Sequence, residues 1–198
     1  MNQRSGVYPR IVKVGDHSVE LQVMTGDDRE AILEFARALP QHDLLFLRRD
    51  IRKEPAVDAW LADIERGLVR TVLARIEGRL AGYGTLHGSE LGWFEHVGEL
   101  RILVAEDRRG LGLGRLLTQE VFSIALEAGI EKMVARMTLD QEGAIATFEG
   151  LGFKAEALLR DHVKDLEGNS HDLLMMCHAV GEFHQTLVAY GVEESLGS

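Results

Sequence analysis

The sequence predicts an α/β domain in which helices cover a mixed β-sheet. Apolar residues alternate at period two in some segments and recur at helical spacing in others, and the two kinds of segment are interleaved along the chain. Neither an internal repeat nor a linker-like stretch interrupts them. We therefore expect residues 1–198 to form a single domain, with a hairpin extension at 1–18 and a terminal helix and tail at 181–198.

Local signals place the elements one after another. Alternation on both sides of a Gly-Asp turn predicts an opening hairpin, and a capping box at 25–28 begins the first of two amphipathic helices. In chain order, the predicted elements are strands at 10–14 and 19–24, a helix that Pro40 ends, a connection over 41–53, a helix from Pro55 to 64, strands at 69–76, 80–86 and 93–104, a helix with an apolar stripe from Leu113 to Ala128, a strand at 132–138, a helix at 142–151, strands at 154–165 and 172–178, and a helix at 182–190.

Composition narrows the classes of function. The formal net charge of −10 argues against nucleic acid as a partner, because phosphate binding needs a basic surface. No apolar run approaches the roughly 18 residues that span a membrane, and the N-terminus lacks the apolar core of a secretory signal. The single Cys177 is expected to be a buried, inert thiol, and the scattered histidines predict no metal site. We expect a cytoplasmic protein.

Glycines at positions 110, 112 and 114 stand where a helix begins after the long strand. Glycine inside a helix costs on the order of 1 kcal/mol against alanine, so these positions need another explanation. Uncovered amides at a helix N-terminus bind anions, and arginines flank the three glycines. The spacing lacks the Gly-Lys-Ser/Thr of a Walker loop and the G-x-G-x-x-G of a dinucleotide fingerprint. A plain surface turn is the alternative.

The spacing Arg109-x-x-Gly112-x-Gly114 resembles the pyrophosphate loop of the GCN5-related N-acetyltransferase (GNAT) superfamily, R/Q-x-x-G-x-G/A. The segment 144–153, A-I-A-T-F-E-G-L-G-F, is similar to that family's A-I-x-L-Y-E-K-L-G-F. The resemblance covers residues 25–177. It implies a mostly antiparallel sheet with a splayed strand pair, flanked by helices, and acetyl-CoA as co-substrate without a metal.

The resemblance also implies which residues bind the cofactor. Amides at 110–115 would surround the pyrophosphate, and the backbone at 103–105 would pair with the pantetheine arm as an added strand does. Gln141 stands where the family often has an asparagine that touches the cofactor. The predicted cofactor-binding residues are Leu103, Val104, Ala105, Arg109, Gly110, Leu111, Gly112, Leu113, Gly114, Arg115, Gln141 and Phe148.

Catalysis is predicted less completely than cofactor binding. The resemblance implies that Glu99 acts as a general base through water, and the alternation of an extended strand turns Glu99 towards the cleft. The alternative is that Glu99 only pairs with an arginine. Glu95 and His96 on the same predicted strand are secondary candidates. Phe148 stands where the family usually has the tyrosine that protonates the leaving thiolate, so no general acid is assigned; Tyr83 is an outside candidate.

The predicted function is acetyl transfer from acetyl-CoA to a primary amine of a small molecule, peptide or protein. A non-catalytic acyl-CoA-binding module is the alternative, because phenylalanine at 148 cannot donate a proton. The terminal helix also suggests a homodimer. Acidic and histidine residues in the expected acceptor region are compatible with a cationic amine: His42, Asp43, Arg48, Arg49, His87, Glu90, Asp161, His162 and Asp165.

Overall fold

The computed structural model describes residues 8–44, 47, 49–165 and 167–181. Within them, an eight-stranded sheet has the order β1-β2-β3-β4-β5-β6-β8-β7. The elements are β1 (Arg10–Val14), β2 (His17–Val23), a 3-10 turn (Gly26–Asp28), α1 (Arg29–Ala38), α2 (Gln41–Leu44), α3 (Glu54–Glu65), β3 (Val69–Ile76), β4 (Arg79–His87), a 3-10 turn (Gly92–Phe94), β5 (Val97–Val104), a 3-10 turn (Glu106–Arg108), α4 (Leu113–Glu127), β6 (Lys132–Thr138), α5 (Glu142–Glu149), β7 (Lys154–Lys164) and β8 (Ser170–Ala179).

The sheet is mixed and mostly antiparallel, which confirms the predicted fold class. Only β5 and β6 run parallel among the described strands. Their pairing extends from Val97 opposite Lys132 to Glu99 opposite Val134, while β5 stays paired with β4 as far as Val104. The two strands therefore separate after Glu99, which is the splayed pair that the sequence predicted.

Alternating side chains divide the sheet into two packed faces. Leu100, Ile102 and Val104 of β5 pack with α4 and α5 on one face. On the other face, Leu103 packs with a cluster that α1 and α3 complete, in which Trp60 is 5% exposed. Glu99 and Arg101 share the face of Leu103, as predicted, and so lie on the side of α1 and α3.

Two predicted elements need correction. The strand predicted at 93–104 begins only at Val97, because Trp93 and Phe94 lie in a 3-10 turn with exposed rings, 4.5 Å apart, that pack on each other. Helix α4 ends at Glu127, so Ala128 is an exposed cap and not part of the apolar stripe; Phe122 and Ala125 are buried in it instead. The helix predicted at 182–190 lies outside the described residues.

No helix among the described residues is long and apolar enough to cross a membrane. The same part of the chain contains no group of three His, Cys, Asp or Glu side chains that could hold a metal ion.

Candidate active site

The glycine loop adopts a backbone that requires glycine at two positions. Gly110 has φ +78° and Gly112 has φ +89°, a left-handed region that side chains other than glycine rarely adopt. Gly112 caps the N-terminus of α4, and the helix continues through Gly114. A Cβ added at Gly110 or Gly114 would meet nothing within 4 Å, so the loop borders open space. Backbone amides at the positive end of a 15-residue helix can therefore be reached by an anion.

The side chains around this loop divide into buried and accessible ones. Leu113 is 1% exposed and belongs to the core, so only its backbone can contact a ligand. Leu111 packs partly against the same core, whereas Arg115 is exposed. The predicted pyrophosphate contacts thus come from the loop backbone, with Arg115 as a nearby cation.

The opening hairpin, β1 and β2, packs next to the glycine loop. The sequence did not reveal this contact. Val14 Cγ1 lies 3.5 Å from the position that a Cβ on Gly112 would take. Nearby, the Tyr8 hydroxyl donates to Glu120 Oε2 at 2.7 Å, and Arg10 forms an ion pair with the same carboxylate. Burial and the negative charge of Glu120 raise the pKa of Tyr8, which keeps it a donor. A glutamate in the apolar stripe of α4 was the only sequence signal for this contact.

The second part of the site is the edge of β5 that β6 leaves. From Leu100 to Val104, β5 is paired with β4 on one side, and the splay opens on the other. Ala105 follows with its N–H donating to Ala81 O at 2.9 Å. The predicted pantetheine contacts at 103–105 therefore lie beside the glycine loop, at the end of a strand that no described strand pairs with on the side of β6. The Val104 carbonyl there accepts from Arg109 Nε at 3.5 Å.

Short helix α2 contacts both sides of this opening. Asp43 forms an ion pair with Arg109 at the start of the glycine loop. One residue earlier, His42 Nε2 lies 2.8 Å from Asp140 Oδ2 in the connection from β6 to α5. Gln141 follows Asp140 and accepts a hydrogen bond from the Thr138 N–H at 3.2 Å. Arg109 and Gln141, far apart in sequence, are thus brought to opposite sides of one cleft.

Phe148 is placed in the core and not on an open surface. Its side chain is 8% exposed, and its ring lies edge-on to Phe153 with a centroid distance of 4.9 Å. The predicted contact of Phe148 with CoA stays a prediction.

Glu99 faces the expected side of the sheet, but it is buried and paired. Its carboxylate accepts from Arg101 at 2.7 Å and from Arg136 at 3.3 Å, and the side chain is 8% exposed. The pairing that we held as an alternative is therefore present, and the role of Glu99 as a base stays a prediction. Glu95 and His96 precede β5 at its paired end, where the His96 carbonyl accepts from the Lys132 N–H at 3.0 Å. They lie at the opposite end of β5 from the glycine loop.

A small cavity of about 70 Å³ lies on the same face, beneath α3. Two of the predicted acceptor-region residues, Arg49 and His87, contribute to it. Tyr83, the outside candidate for the general acid, also lines it, and burial raises the pKa of its hydroxyl. The sequence did not point to the rest of the lining, because those residues meet only through strand register and helix packing. The lining residues are Leu47, Arg49, Ile51, Trp60, Asp63, Tyr83, Thr85, His87 and Arg101.

The remaining acceptor-region candidates are engaged elsewhere. Glu90 pairs with Arg66 at 3.0 Å. Asp165 accepts from His171 at 2.9 Å within the last hairpin, which lowers the pKa of Asp165 to about 2. Asp161 and His162 lie on β7, away from the cavity lining, and Arg48 lies outside the described residues.

Comparison with known proteins agrees with the fold. Residues 32–153 match the model of the acetyltransferase (GNAT) family, which is more than half of the chain. The chain belongs to this family. No curated protein matches the sequence.

Solved structures resemble this GNAT protein along most of its length. A ribosomal-protein-alanine N-acetyltransferase of Brucella melitensis is 24% identical with a TM-score of 0.72, covering 80% of this chain and 98% of the other. A Salmonella typhimurium protein, yncA, solved with its cofactor acetyl-CoA, is 22% identical with a TM-score of 0.69, covering 82% and 94%. A GNAT-family acetyltransferase of Streptococcus pneumoniae is 19% identical with a TM-score of 0.71, covering 81% and 99%. At these identities the likeness shows the fold.

Proposed function

We propose that this GNAT protein transfers the acetyl group of acetyl-CoA to a primary amine. The observation that carries the proposal is the open loop with Gly110 and Gly112 at positive φ, set at the N-terminus of α4 beside the part of β5 after Glu99, where no described strand pairs with β5 on the side of β6. An anion site next to a strand edge that β6 leaves suits a ligand with a pyrophosphate and an amide-containing arm. The acetyl-CoA in the Salmonella relative supports the same cofactor here.

Different residues would bind different parts of acetyl-CoA. Loop amides from 110 to 115 would hold the pyrophosphate, with Arg109 and Arg115 adding positive charge. The backbone at 103–105 would pair with the amides of the pantetheine arm. Gln141 would contribute its side-chain amide from the opposite side of the cleft, at the N-cap of α5.

The transfer itself needs a neutral amine and a place for its proton. The amine nitrogen attacks the thioester carbonyl, a nitrogen–carbon bond forms, the carbon–sulfur bond breaks, and the amine proton is released. Glu99 is the proposed acceptor of that proton, which would reach it through a water molecule. The water would replace one of the two arginines that contact the Glu99 carboxylate. A thiol has an ordinary pKa of about 8.5, so it can depart as a thiolate without the tyrosine that Phe148 replaces.

Cofactor binding is tested with Gly114→Glu. Gly114 has no positive φ and open space in front, so the glutamate is tolerated by the fold but places a negative charge in the anion site. We expect acetyl-CoA to raise the melting temperature of the wild type and not of the variant. Gly26→Glu is the matched control, because Gly26 is equally open and lies outside the loop. A wild type that acetyl-CoA leaves unshifted would overturn the proposal.

A second candidate is a binding module without catalysis. It is favoured by Phe148, which is buried against Phe153 and carries no hydroxyl. The two functions differ in one product, because only an enzyme releases free CoA thiol when amines are added. Thiol release over an amine panel selects the enzyme, and stabilisation by acetyl-CoA without release selects the module.

A further inference from the structure

The connection between β4 and β5 carries an exposed aromatic pair. Trp93 is 73% exposed and Phe94 is 41% exposed, and their rings lie edge to face with centroids 4.5 Å apart. Leu91, 56% exposed, adds an aliphatic side chain to the same connection. We call these three side chains the aromatic turn. Among the described residues, eight large apolar side chains are exposed, and three of them are in this one turn.

The area of the aromatic turn indicates the size of a partner that could cover it. An aromatic side chain buries about 150–250 Å² when it is covered, so the partly exposed turn offers on the order of 300 Å². Apolar patches of about 300–600 Å² on a monomer are often functional. A stable interface between two folded proteins covers about 800 Å² on each partner, which is well beyond this area. The aromatic turn therefore suits a short segment of polypeptide better than a folded partner.

Hydrogen bonds hold the backbone of the aromatic turn on both sides. The Phe94 N–H donates to the Leu91 carbonyl at 2.7 Å, and the Leu91 N–H donates to Ser89 Oγ at 3.2 Å. After the turn, the His96 carbonyl accepts from the Glu131 N–H at 2.9 Å. A backbone that is already ordered loses less entropy when a partner binds. The two rings are thus presented on a preorganised support.

Two carboxylates without an ion pair border the aromatic turn. A Cβ built on Gly92 would lie 3.6 Å from Glu95 Oε1, so the Glu95 carboxylate stands next to the turn. Glu131 adjoins the same segment through its backbone contact with His96. Within the described part of the chain, neither Glu95 nor Glu131 forms an ion pair.

Two cations of neighbouring elements already have carboxylate partners. Arg66, at the end of α3, pairs with Glu90 at 3.0 Å. Lys132, which follows Glu131, pairs with Glu156 at 2.6 Å. The charge that borders the aromatic turn is therefore negative on balance, and a partner of complementary charge is basic.

We propose that the aromatic turn docks a short basic segment of another polypeptide, with an arginine side chain on the Trp93 ring. The face of an indole attracts a guanidinium, and the Glu95 carboxylate beside it adds a charge-assisted contact. Nucleic acids and anionic membranes carry the charge that these carboxylates repel. The proposal does not depend on acetyl transfer, because the aromatic turn precedes β5, whereas the glycine loop follows it.

The probe is a six-residue peptide that alternates leucine and arginine, with both ends blocked and a fluorophore attached. It has no primary amine, so it cannot serve as an acceptor of the acetyl group. The matched peptide has citrulline in place of arginine, which keeps nearly the same shape without the charge. Fluorescence anisotropy at pH 8, where histidine is neutral, gives both dissociation constants. We expect the arginine peptide to bind at least about fivefold more tightly.

Two variants locate the bound peptide. Trp93→Ser and Glu95→Gln should each weaken binding of the arginine peptide about threefold or more. Ile11→Ser and Glu149→Gln are the matched controls, because Ile11 is also 73% exposed and Glu149 is an exposed carboxylate on α5. Trp93→Ser leaves Trp60 as the only tryptophan, and the emission of that buried indole verifies that the variant is folded.

Equal binding of the arginine and citrulline peptides would overturn the proposal, and the wild-type protein alone decides this. Binding of the arginine peptide that Trp93→Ser leaves unchanged would overturn it as well. A wild-type dimer that Trp93→Ser dissociates in sedimentation would assign the surface to a second copy of this chain instead. Binding to vesicles of phosphatidylcholine and phosphatidylserine that is lost in Trp93→Ser would assign it to a membrane.

Discussion

Asp43 on α2 is ion-paired with Arg109, the arginine at the start of the glycine loop. The two residues are 66 positions apart in sequence. The neighbouring residue His42 contacts Asp140. Helix α2 therefore contacts both the segment after β5 and the segment after β6, where these two strands have separated. A pyrophosphate that uses Arg109 must therefore compete with the Asp43 carboxylate. We therefore expect cofactor binding and the position of α2 to be coupled through the Arg109 guanidinium.

Removal of the competing carboxylate should tighten cofactor binding. Asp43→Asn keeps the shape of the side chain and frees the charge of Arg109. Because partly exposed ion pairs contribute about 0.2–1 kcal/mol, we expect the dissociation constant of acetyl-CoA to fall by up to about fivefold. Calorimetry at low and high salt measures this, and the gain should shrink at high salt because ions screen the pair. Asp27→Asn, in the turn before α1, is the control. Weaker binding by Asp43→Asn would show that Asp43 orients Arg109 for the cofactor.

Glu120 should stabilise both the fold and the glycine loop. Glu120→Gln leaves the partly buried Arg10 without its counter-charge, and a lost buried partner costs about 1–3 kcal/mol of unfolding free energy. Since β1 also places Val14 beneath Gly112, affinity for acetyl-CoA should fall as well. Urea denaturation and calorimetry measure the two effects. Glu127→Gln on the exposed end of the same helix should change neither, and unchanged stability in Glu120→Gln would refute the argument.

Cys177 should be almost unreactive in the folded protein. The side chain is 5% exposed, and burial, reinforced by a hydrogen bond to Glu156, raises the pKa of the thiol to about 11. At pH 7.5 the reactive thiolate is therefore scarce, and its fraction rises only as the pH approaches that value. Labelling with a chromogenic disulfide should be slow in buffer and complete in denaturant. Fast labelling in buffer would contradict the buried position. If Cys177 is labelled slowly, the thiol detected in the activity assay comes from CoA and not from the protein.

Much of the fold follows from local patterns in the sequence. The hairpins, the capping box at 25–28 and the strand at Lys132–Thr138 depend on residues close together in sequence, and the structure confirms them. One exception is the start of β5: Trp93 and Phe94 are typical strand residues, yet they pack on each other in an exposed turn. Strand propensity cannot distinguish aromatic residues of a strand from aromatic residues of such a turn, because it takes no account of what the rings contact.

The site was only partly predictable, because local sequence patterns do not reveal contacts between distant segments. The positive φ of Gly110 and Gly112 is a local requirement, so the loop could be found from spacing alone. The pairing of Arg109 with Asp43 and the meeting of Trp60 with Arg101 in one cavity depend on how distant segments pack. Periodicity carries no information about such partners. The acidic residues that suggested a cationic acceptor lie in different parts of the fold, such as Asp43 on α2 and Asp161 on β7, and the cationic acceptor stays a prediction.

Glu99 offers the sharpest test of the chemistry. If its carboxylate accepts the amine proton through water, Glu99→Gln should lower kcat about a hundredfold or more, with little change in acetyl-CoA affinity. The amide keeps the size of the side chain but cannot accept a proton from the amine. Glu127→Gln, at the exposed end of α4, is the control, and it should leave kcat unchanged. If Glu99 serves only to pair with Arg101 and Arg136, the variant should instead lower the melting temperature and keep kcat. Steady-state kinetics over a pH series separates the two, because loss of a base also removes the rise of rate with pH.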